Sequence, residues 1–257
     1  MLELQGVTVL YGGFTAVEDV TFEVPDGQFV AVVGPTGCGK SSLLNLVAGL
    51  LAPAGGTVRT GGRPVTTVNR DCGYMFQMDA LLPWRSALDN VLLGPVLRGM
   101  PKAEARNLAG QWLARVGLAG FEDRYPHQLS GGQRKRVAMA QVLVNRPPIL
   151  LMDEPFSALD VQTRALMEQE LLGLWQEQRA TVLFVTHDLE EAIALSDRVL
   201  LLTAGPRSHL KADHTVDLPR PRNVVEARFM PGFSSIYERV WSGLREEVMA
   251  SYGRQRA

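Results

Sequence analysis

The sequence predicts an α/β fold with a mainly parallel sheet covered by helices, an antiparallel β flank before it and an inserted helical subdomain. Three observations carry that prediction. The second half alternates short apolar runs with helix-spaced segments, in the order PILLMDE, VQTRALMEQELLGLWQEQ, TVLFVTHD, LEEAIALS and DRVLLLTAG, and such alternation marks strands buried on both faces by crossover helices. An earlier apolar run, FVAVVG, passes through a glycine-rich turn into SLLNLVAGL, which has helical spacing. Between these regions, from about Pro83 to Asn145, strand signals give way to helical ones.

Taken in order, LELQGVTVLY and AVEDVTFEV are β-rich pieces broken by turns, PDGQ is a turn, and FVAVVG is the first core strand, which gives the antiparallel flank. The helix that follows ends near Gly49, PAGG at 53–56 marks a turn, and GTVRT and CGYMFQ are short strands. LDNVLLGPVLRGM, KAEARNLAGQWLARVG and RKRVAMAQVLVN supply the helices of the subdomain at about 83–145, after which the parallel core resumes. Residues 1–205 are read as one domain and 206–257 as a C-terminal linker and helix. PRPR at 219–222 reads as extended linker. Beyond it Phe233, Ile236, Tyr237, Val240, Trp241, Leu244 and Val248 recur at helical spacing, an amphipathic helix that packs on its own domain or meets a partner.

At 257 residues the chain can bury a full core. A formal net charge of -1 gives no electrostatic reason to expect nucleic acid as a partner. The two cysteines, Cys38 and Cys72, have no pairing or metal-ligand spacing, which suits a reducing compartment. MLELQG has no basic start, so no signal peptide is expected. Every apolar run falls short of the ~20 residues that span a bilayer.

The chemistry begins with GPTGCGKS, Gly34 to Ser41, which fits G-x-x-x-x-G-K-[ST] at a strand-to-helix turn. This makes the core that of a P-loop NTPase. Gly34, Gly37 and Gly39 permit the tight backbone path around phosphates, Lys40 supplies a charge expected to face the surface, and the Ser41 hydroxyl is placed for Mg²⁺. Pro35, Thr36 and Ser42 complete the candidate ATP-binding stretch, and Cys38 is read as a small filler. LSGGQ, Leu129 to Gln133, is a second glycine-rich anion site: Ser130, Gly131 and Gly132 head a helix whose positive end aims at one point. Two phosphate-seeking loops in one chain suggest an ATPase that works as a pair. Asp153 and Glu154 end the apolar run ILLM, placing two carboxylates at the C-terminal edge of a buried strand, where ligands bind in open α/β sheets. His187 ends VLFVTHD on the same edge, with a pKa range that allows donor and acceptor roles.

Together GPTGCGKS, LSGGQ, LLMDEP and VTHD resemble the nucleotide-binding subunit of ATP-binding-cassette (ABC) transporters, from about Leu2 to Leu202 with every motif in the family's order. The resemblance implies that Asp153 holds hydrated Mg²⁺, that Glu154 orients or deprotonates the attacking water, and that His187 bridges γ-phosphate, water and Glu154. It places Gln77 near Mg²⁺ on a hinge to the helical subdomain, and Tyr11 as a platform for adenine, the alternative being a packed tyrosine of the β flank. Leu81, Leu82 and Trp84 either line a groove for a partner helix or fill the subdomain core. Asp160, in SALD, links the two sites of a dimer, caps the following helix, or does both. Two departures stand after LSGGQ: Lys135-Arg136 where the family often has Gln-Arg, and Ala140-Gln141-Val142 where it has Ala-Arg-Ala. The implied cofactors are ATP and Mg²⁺. The implied partners are a second copy, transmembrane permease subunits and, indirectly, a solute-binding protein, at the cytoplasmic face of the cell membrane. FQMDALLPWRSALDNVLLGP, VTHDLEEAIALSDRVLLLTAGP and VDLPRPR are similar to the branch serving nitrate, sulfonate and taurine importers. A DNA-repair ATPase would need a long coiled-coil insertion, a translation factor would need two cassettes, and a non-hydrolysing module would lack Glu154 and His187.

Overall fold

The computed structural model describes residues 1–255, so 256–257 of the C-terminal assignment lie outside the described residues. The antiparallel flank is a sheet in the order β2-β1-β4-β5, from β1 (Leu2–Tyr11), β2 (Phe14–Val24), β4 (Gly55–Thr60) and β5 (Arg63–Pro64). In β1 the buried positions shift from Leu2 and Leu4 to Val7 and Val9. Gly6, at φ 59°, sits where the register with β2 slips, a bulge that turns the next side chains back to the core face.

The PAGG segment is where the structure departs from the expected turn, because Gly55 and Gly56 belong to β4. A Cβ on Gly56 would lie 2.3 Å from the Gly6 carbonyl oxygen, so the strand can approach the bulge only through a glycine. What looks like turn chemistry serves close backbone approach.

The main sheet runs β10-β9-β3-β8-β7-β6, built from β3 (Phe29–Val33), β6 (Cys72–Met75), β7 (Ile149–Asp153), β8 (Thr181–Val185), β9 (Arg198–Leu202) and β10 (Leu210–Thr215). From β9 to β6 every neighbour is parallel, and β10 closes one edge antiparallel. FVAVV and TVLFV are buried at every position, as strands covered on both faces require. Helix α1 (Lys40–Val47) lies between the two sheets in one apolar cluster. A second cluster joins the opposite face to α6 (Val161–Gln178), α7 (Leu189–Leu195) and the helical subdomain of α2 (Ala87–Val91), α3 (Leu93–Leu97), α4 (Lys102–Arg115) and α5 (Gly131–Leu143). There Phe29 meets Trp175 edge to face at 5.4 Å, and the buried indole N–H donates to Ala180 O.

The C-terminal part begins with a core strand, β10, and PRPR is clamped to the domain. Arg222 is 3% exposed and donates to the carbonyls of Ile193, Ser196 and Leu218, while Arg220 pairs with Asp197. Carbonyls left over at the end of α7 need donors, and a guanidinium supplies several from one buried point. After the short α8 (Val224–Ala227), α9 (Phe233–Gln255) buries Phe233, Ile236, Val240 and Leu244 against this domain; Trp241 is an exception at 43% exposure.

Candidate functional site

The candidate residues gather at the C-terminal ends of β3, β7 and β8, the edge at which open α/β sheets bind ligands. Between β3 and α1 the glycine-rich loop comes under pressure from the flank. Gly39 caps α1 at φ 94°, and a Cβ there would lie 2.4 Å from Val17 Cγ2 of β2. Only glycine meets both the conformation and the space. Helix α1 has neither a side-chain cap nor an acid in its first turn, so its leading N–H groups and positive dipole end are suited to an anion.

Within the loop, Thr36 and Gly37 form the exposed tip and Pro35 is buried beneath it. Cys38 is fully buried against Gly34, and burial pushes its thiol above the ordinary range, as befits an inert filler. Lys40 does not face the surface. It is 7% exposed, and its ammonium donates to Gly34 O at 2.9 Å and Pro35 O at 3.1 Å, so the loop's own carbonyls satisfy the buried charge.

Ser41 Oγ donates to Asp153 Oδ1 at 3.0 Å, which brings the start of α1 and the end of β7 together. Burial raises the Asp153 pKa and the Ser41 hydrogen bond opposes that shift. The next residue, Glu154, has φ 42°, a left-handed backbone rare for a side-chain-bearing residue. It is pinned from both sides: its N–H donates to Val185 O at 2.9 Å and its carbonyl accepts from Ser157 Oγ at 3.0 Å. Such strain persists where surrounding contacts over-determine it. Glu154 Oε2 lies 3.0 Å from His187 Nδ1, a half-exposed imidazole on the turn after β8. This pair can hold a water between a base and a second hydrogen-bonding group.

Tyr11, at the end of β1, is 48% exposed, so its ring does not fill the core of the flank. Its hydroxyl is 3.0 Å from Ser42 Oγ of α1, which fixes the ring beside the phosphate loop. Gln77 is exposed just beyond β6, and its backbone carbonyl accepts from Lys135 Nζ at 3.1 Å. Of the apolar residues after it, Leu81 packs on the core cluster, while Met78 and Trp84 stand 82% and 71% exposed.

Leu129 of LSGGQ is buried as an anchor, and Ser130 and Gly131 are exposed at the head of α5. Ser130 and Gln133 form a reciprocal capping box that satisfies two end groups. A Cβ on Gly132 would lie 3.0 Å from Thr163 Cγ2, so the head of α5 sits close against α6. Along its length α5 packs on the other subdomain helices and β6. The Asp160 side chain caps α6 by accepting from Thr163 N–H at 3.0 Å, and that donation holds its carboxyl below the usual range.

The motif reading gave no role to Asp79, to Ser157 or to Lys135, which it named only as a departure from the family pattern. Lys135 is 2% exposed and pairs with Asp79 at 3.1 Å, which Arg134 also reaches, so α5 is tied to the segment carrying Gln77. One signal was available: position 135 shares a helix face with Ala138, Met139 and Val142, and a lysine on a core-facing stripe needs a partner. Nothing in the sequence identifies that partner.

The chain is similar to known proteins. The ABC transporter family profile matches residues 17–157. The aliphatic sulfonates import ATP-binding protein of Pectobacterium atrosepticum is 45% identical over 93% of this chain and 86% of its own length. The taurine import ATP-binding protein of Yersinia pestis is 45% identical over 80% and 81%. An uncharacterised ABC transporter ATP-binding protein of Methanocaldococcus jannaschii is 45% identical over 92% and 86%. Among solved structures, a dimeric ATP-binding cassette in a post-hydrolysis state, bound to ADP and phosphate, superposes with a TM-score of 0.75 at 32% identity, over 85% of this chain and all of that one. With this fold, these motifs and this degree of identity along most of its length, the chain belongs to the ABC transporter family as one of its ATP-binding proteins.

Proposed function

We propose that the chain hydrolyses ATP as one of two identical subunits attached to membrane-embedded permease subunits, in an importer of small sulfonated solutes such as taurine, or of nitrate. The observation that carries the ATPase reading is the Glu154–His187 hydrogen bond, one residue beyond the Asp153 that meets Ser41 of the phosphate loop.

The residues fit magnesium. Ser41 Oγ and Asp153 Oδ1 are hard oxygen donors side by side, the kind Mg²⁺ takes together with phosphate oxygens and water. When bound, the ion neutralises charge on the β and γ phosphates. In this reading Lys40 and the N–H groups of the Gly34–Ser42 loop, Pro35 excepted, hold the phosphates, Tyr11 stacks on adenine, Gln77 would lie near the ion and the attacking water, Glu154 accepts the attacking water's proton and His187 orients that water.

Leu129–Gln133 present a capped helix start at the surface, and a two-fold pair gives each copy's phosphate loop the other's Ser130 and Gly131. The dimeric structural relatives support that geometry, and Asp160, at the head of α6 beside it, is suited to link the two sites. Among the described residues no helix is long and apolar enough to cross a membrane, so in this reading permease subunits supply the path, the exposed Met78 and Trp84 meet them, and the chain works peripherally at the cytoplasmic face. A solute-binding protein delivers the cargo. The names of the taurine and sulfonate relatives support the importer branch.

The test is ATP hydrolysis by the purified chain with Mg²⁺ and with chelator, followed by solute uptake in vesicles holding the chain and its permease. Mg²⁺-dependent hydrolysis and uptake of taurine, a sulfonate or nitrate are the expected results. Absence of hydrolysis overturns the enzyme assignment, and uptake confined to an unrelated solute overturns the branch.

A further inference from the structure

Behind the turn that carries His187, α6 and α7 face each other across a group of charged side chains with no part in phosphate chemistry. Arg164, one turn into α6, donates from Nη2 to Leu159 O at 3.2 Å and from Nη1 to Asp188 Oδ2 at 3.4 Å. Leu159 precedes Asp160, and Asp188 follows His187. One guanidinium therefore ties the SALD loop to the histidine turn. On that turn Asp188 Oδ1 accepts from the N–H groups of Glu190 and Glu191, and Thr186 Oγ1 accepts from Asp188 N–H and donates to Glu191 Oε2. Both neighbours of His187 are thus held.

Glu191 and Glu168 of α6 line the same cleft, the two being 8% and 5% exposed. Two buried carboxylates in contact cannot both ionise cheaply, whereas one proton between them turns repulsion into a hydrogen bond. The groups facing the pair are Arg164 on α6, and Asp188 and Thr186 on the histidine turn. From α8 and α9 the neighbours are Val224 and Phe233, and Arg228 lies further out beside Glu190. A cleft of about 170 Å³ over the pair connects it to solvent.

We propose that Arg164, Glu168 and Glu191 are positioning residues for His187: the guanidinium and a carboxyl pair sharing one proton fix the 186–188 turn relative to the SALD loop. The role rests on reading Glu154 and His187 as the hydrolytic pair. Burial, reinforced by the facing carboxylate of Asp188, pushes Glu168 up to about 7, and burial and Glu168 hold Glu191 well above the carboxylate range. A raised carboxyl pKa in the fold gives stability that is complete at low pH and lost as pH rises through about 7. Glu168 then shares the one proton that Glu191 still holds, and only when that last proton leaves does the contact become repulsive and push α7, with the His187 turn ahead of it, away from α6.

The experiment compares the full wild-type chain with Arg164→Met, Glu168→Gln and Glu191→Gln, measuring kcat, KM for ATP and nucleotide-free melting temperature from about pH 6 to about pH 9. Arg164→Met is expected to lower kcat about tenfold with KM within about threefold. Wild-type kcat and melting temperature fall towards the alkaline end of that range, as the proton shared with Glu191 leaves, and each glutamine variant, whose amide keeps a neutral hydrogen bond, loses that decline. Wild-type kcat in a folded Arg164→Met chain, or an unchanged alkaline decline in both glutamine variants, overturns the proposal. Should Arg164→Met not fold, the glutamine profiles decide alone. A wild-type chain that hydrolyses no ATP overturns the functional reading and this role with it; a hydrolysing wild type with unaffected variants overturns this role only.

Discussion

Glu154 and His187, carried by the ends of two neighbouring parallel strands, meet through a 3.0 Å contact between Oε2 and Nδ1. The strand pairing sets their spacing: Asp153 is registered opposite Val185, and Val185 O also receives the Glu154 N–H. The carboxylate and imidazole are aligned by the sheet itself.

Glu154→Gln follows from that alignment. The amide keeps the size and a hydrogen bond to His187 but cannot take a proton, so hydrolysis should slow by at least ~100-fold, about 2.7 kcal/mol of barrier, while ATP binding survives. Single-turnover hydrolysis and a binding titration on the same sample check both halves. Wild-type turnover would remove Glu154 from the role of base.

Lys40→Ala removes a buried ammonium that donates to Gly34 O and Pro35 O, the latter keeping only the Cys38 N–H at 3.3 Å, so a loss of stability of about 1–3 kcal/mol accompanies the loss of phosphate contacts. Melting curves with and without Mg-ATP separate the two: a lower baseline Tm and an absent ATP-induced rise are expected. A normal ATP-induced rise with normal hydrolysis would refute the phosphate-loop assignment.

Met78→Ser with Trp84→Ser changes two side chains that the fold leaves outside its core. Folding and basal ATPase should stay near wild type, since surface substitutions typically shift stability by about ±0.5 kcal/mol, while co-purification with permease subunits drops. Full assembly of the double variant would place the permease contact elsewhere.

Complementation tests whether LSGGQ serves the neighbouring chain. Lys40→Ala chains and Ser130→Arg chains are each inactive, but a mixed pair holds one site with an intact Lys40 from one copy and an intact Ser130 from the other. Trapped ATP in demonstrated mixed dimers is the expected result, and no trapped ATP in such dimers would refute the shared site.

The elements that depend on local pattern were legible in the sequence. FVAVV, TVLFV and ILLM read as buried strands because apolar continuity is the signature of coverage on both faces, and the Asp160 cap follows from residue type next to a helical run. Long-range contacts were hidden. PRPR looks like solvated linker because proline fixes the backbone and arginine favours water, yet Arg222 finds the free carbonyls at the end of α7, whose direction no local pattern encodes. Gly56 carries the same signal as a turn glycine, although what it answers is a bulge in β1 about fifty residues earlier. Lys40 reads as a free charge in a motif because the motif specifies what binds phosphate and not how the carbonyls around it point. Arg164 gives no signal at all beyond an ordinary helix position.

The left-handed backbone at Glu154 sets catalysis and robustness against each other at one position. Any residue with a Cβ carries a strain of about 1 kcal/mol or more at φ 42°, and glycine alone adopts it freely, offset by its greater freedom in the unfolded chain. Thermal selection applied to a library at position 154 would therefore score glycine as well as glutamate, and enrich chains that last but do no work.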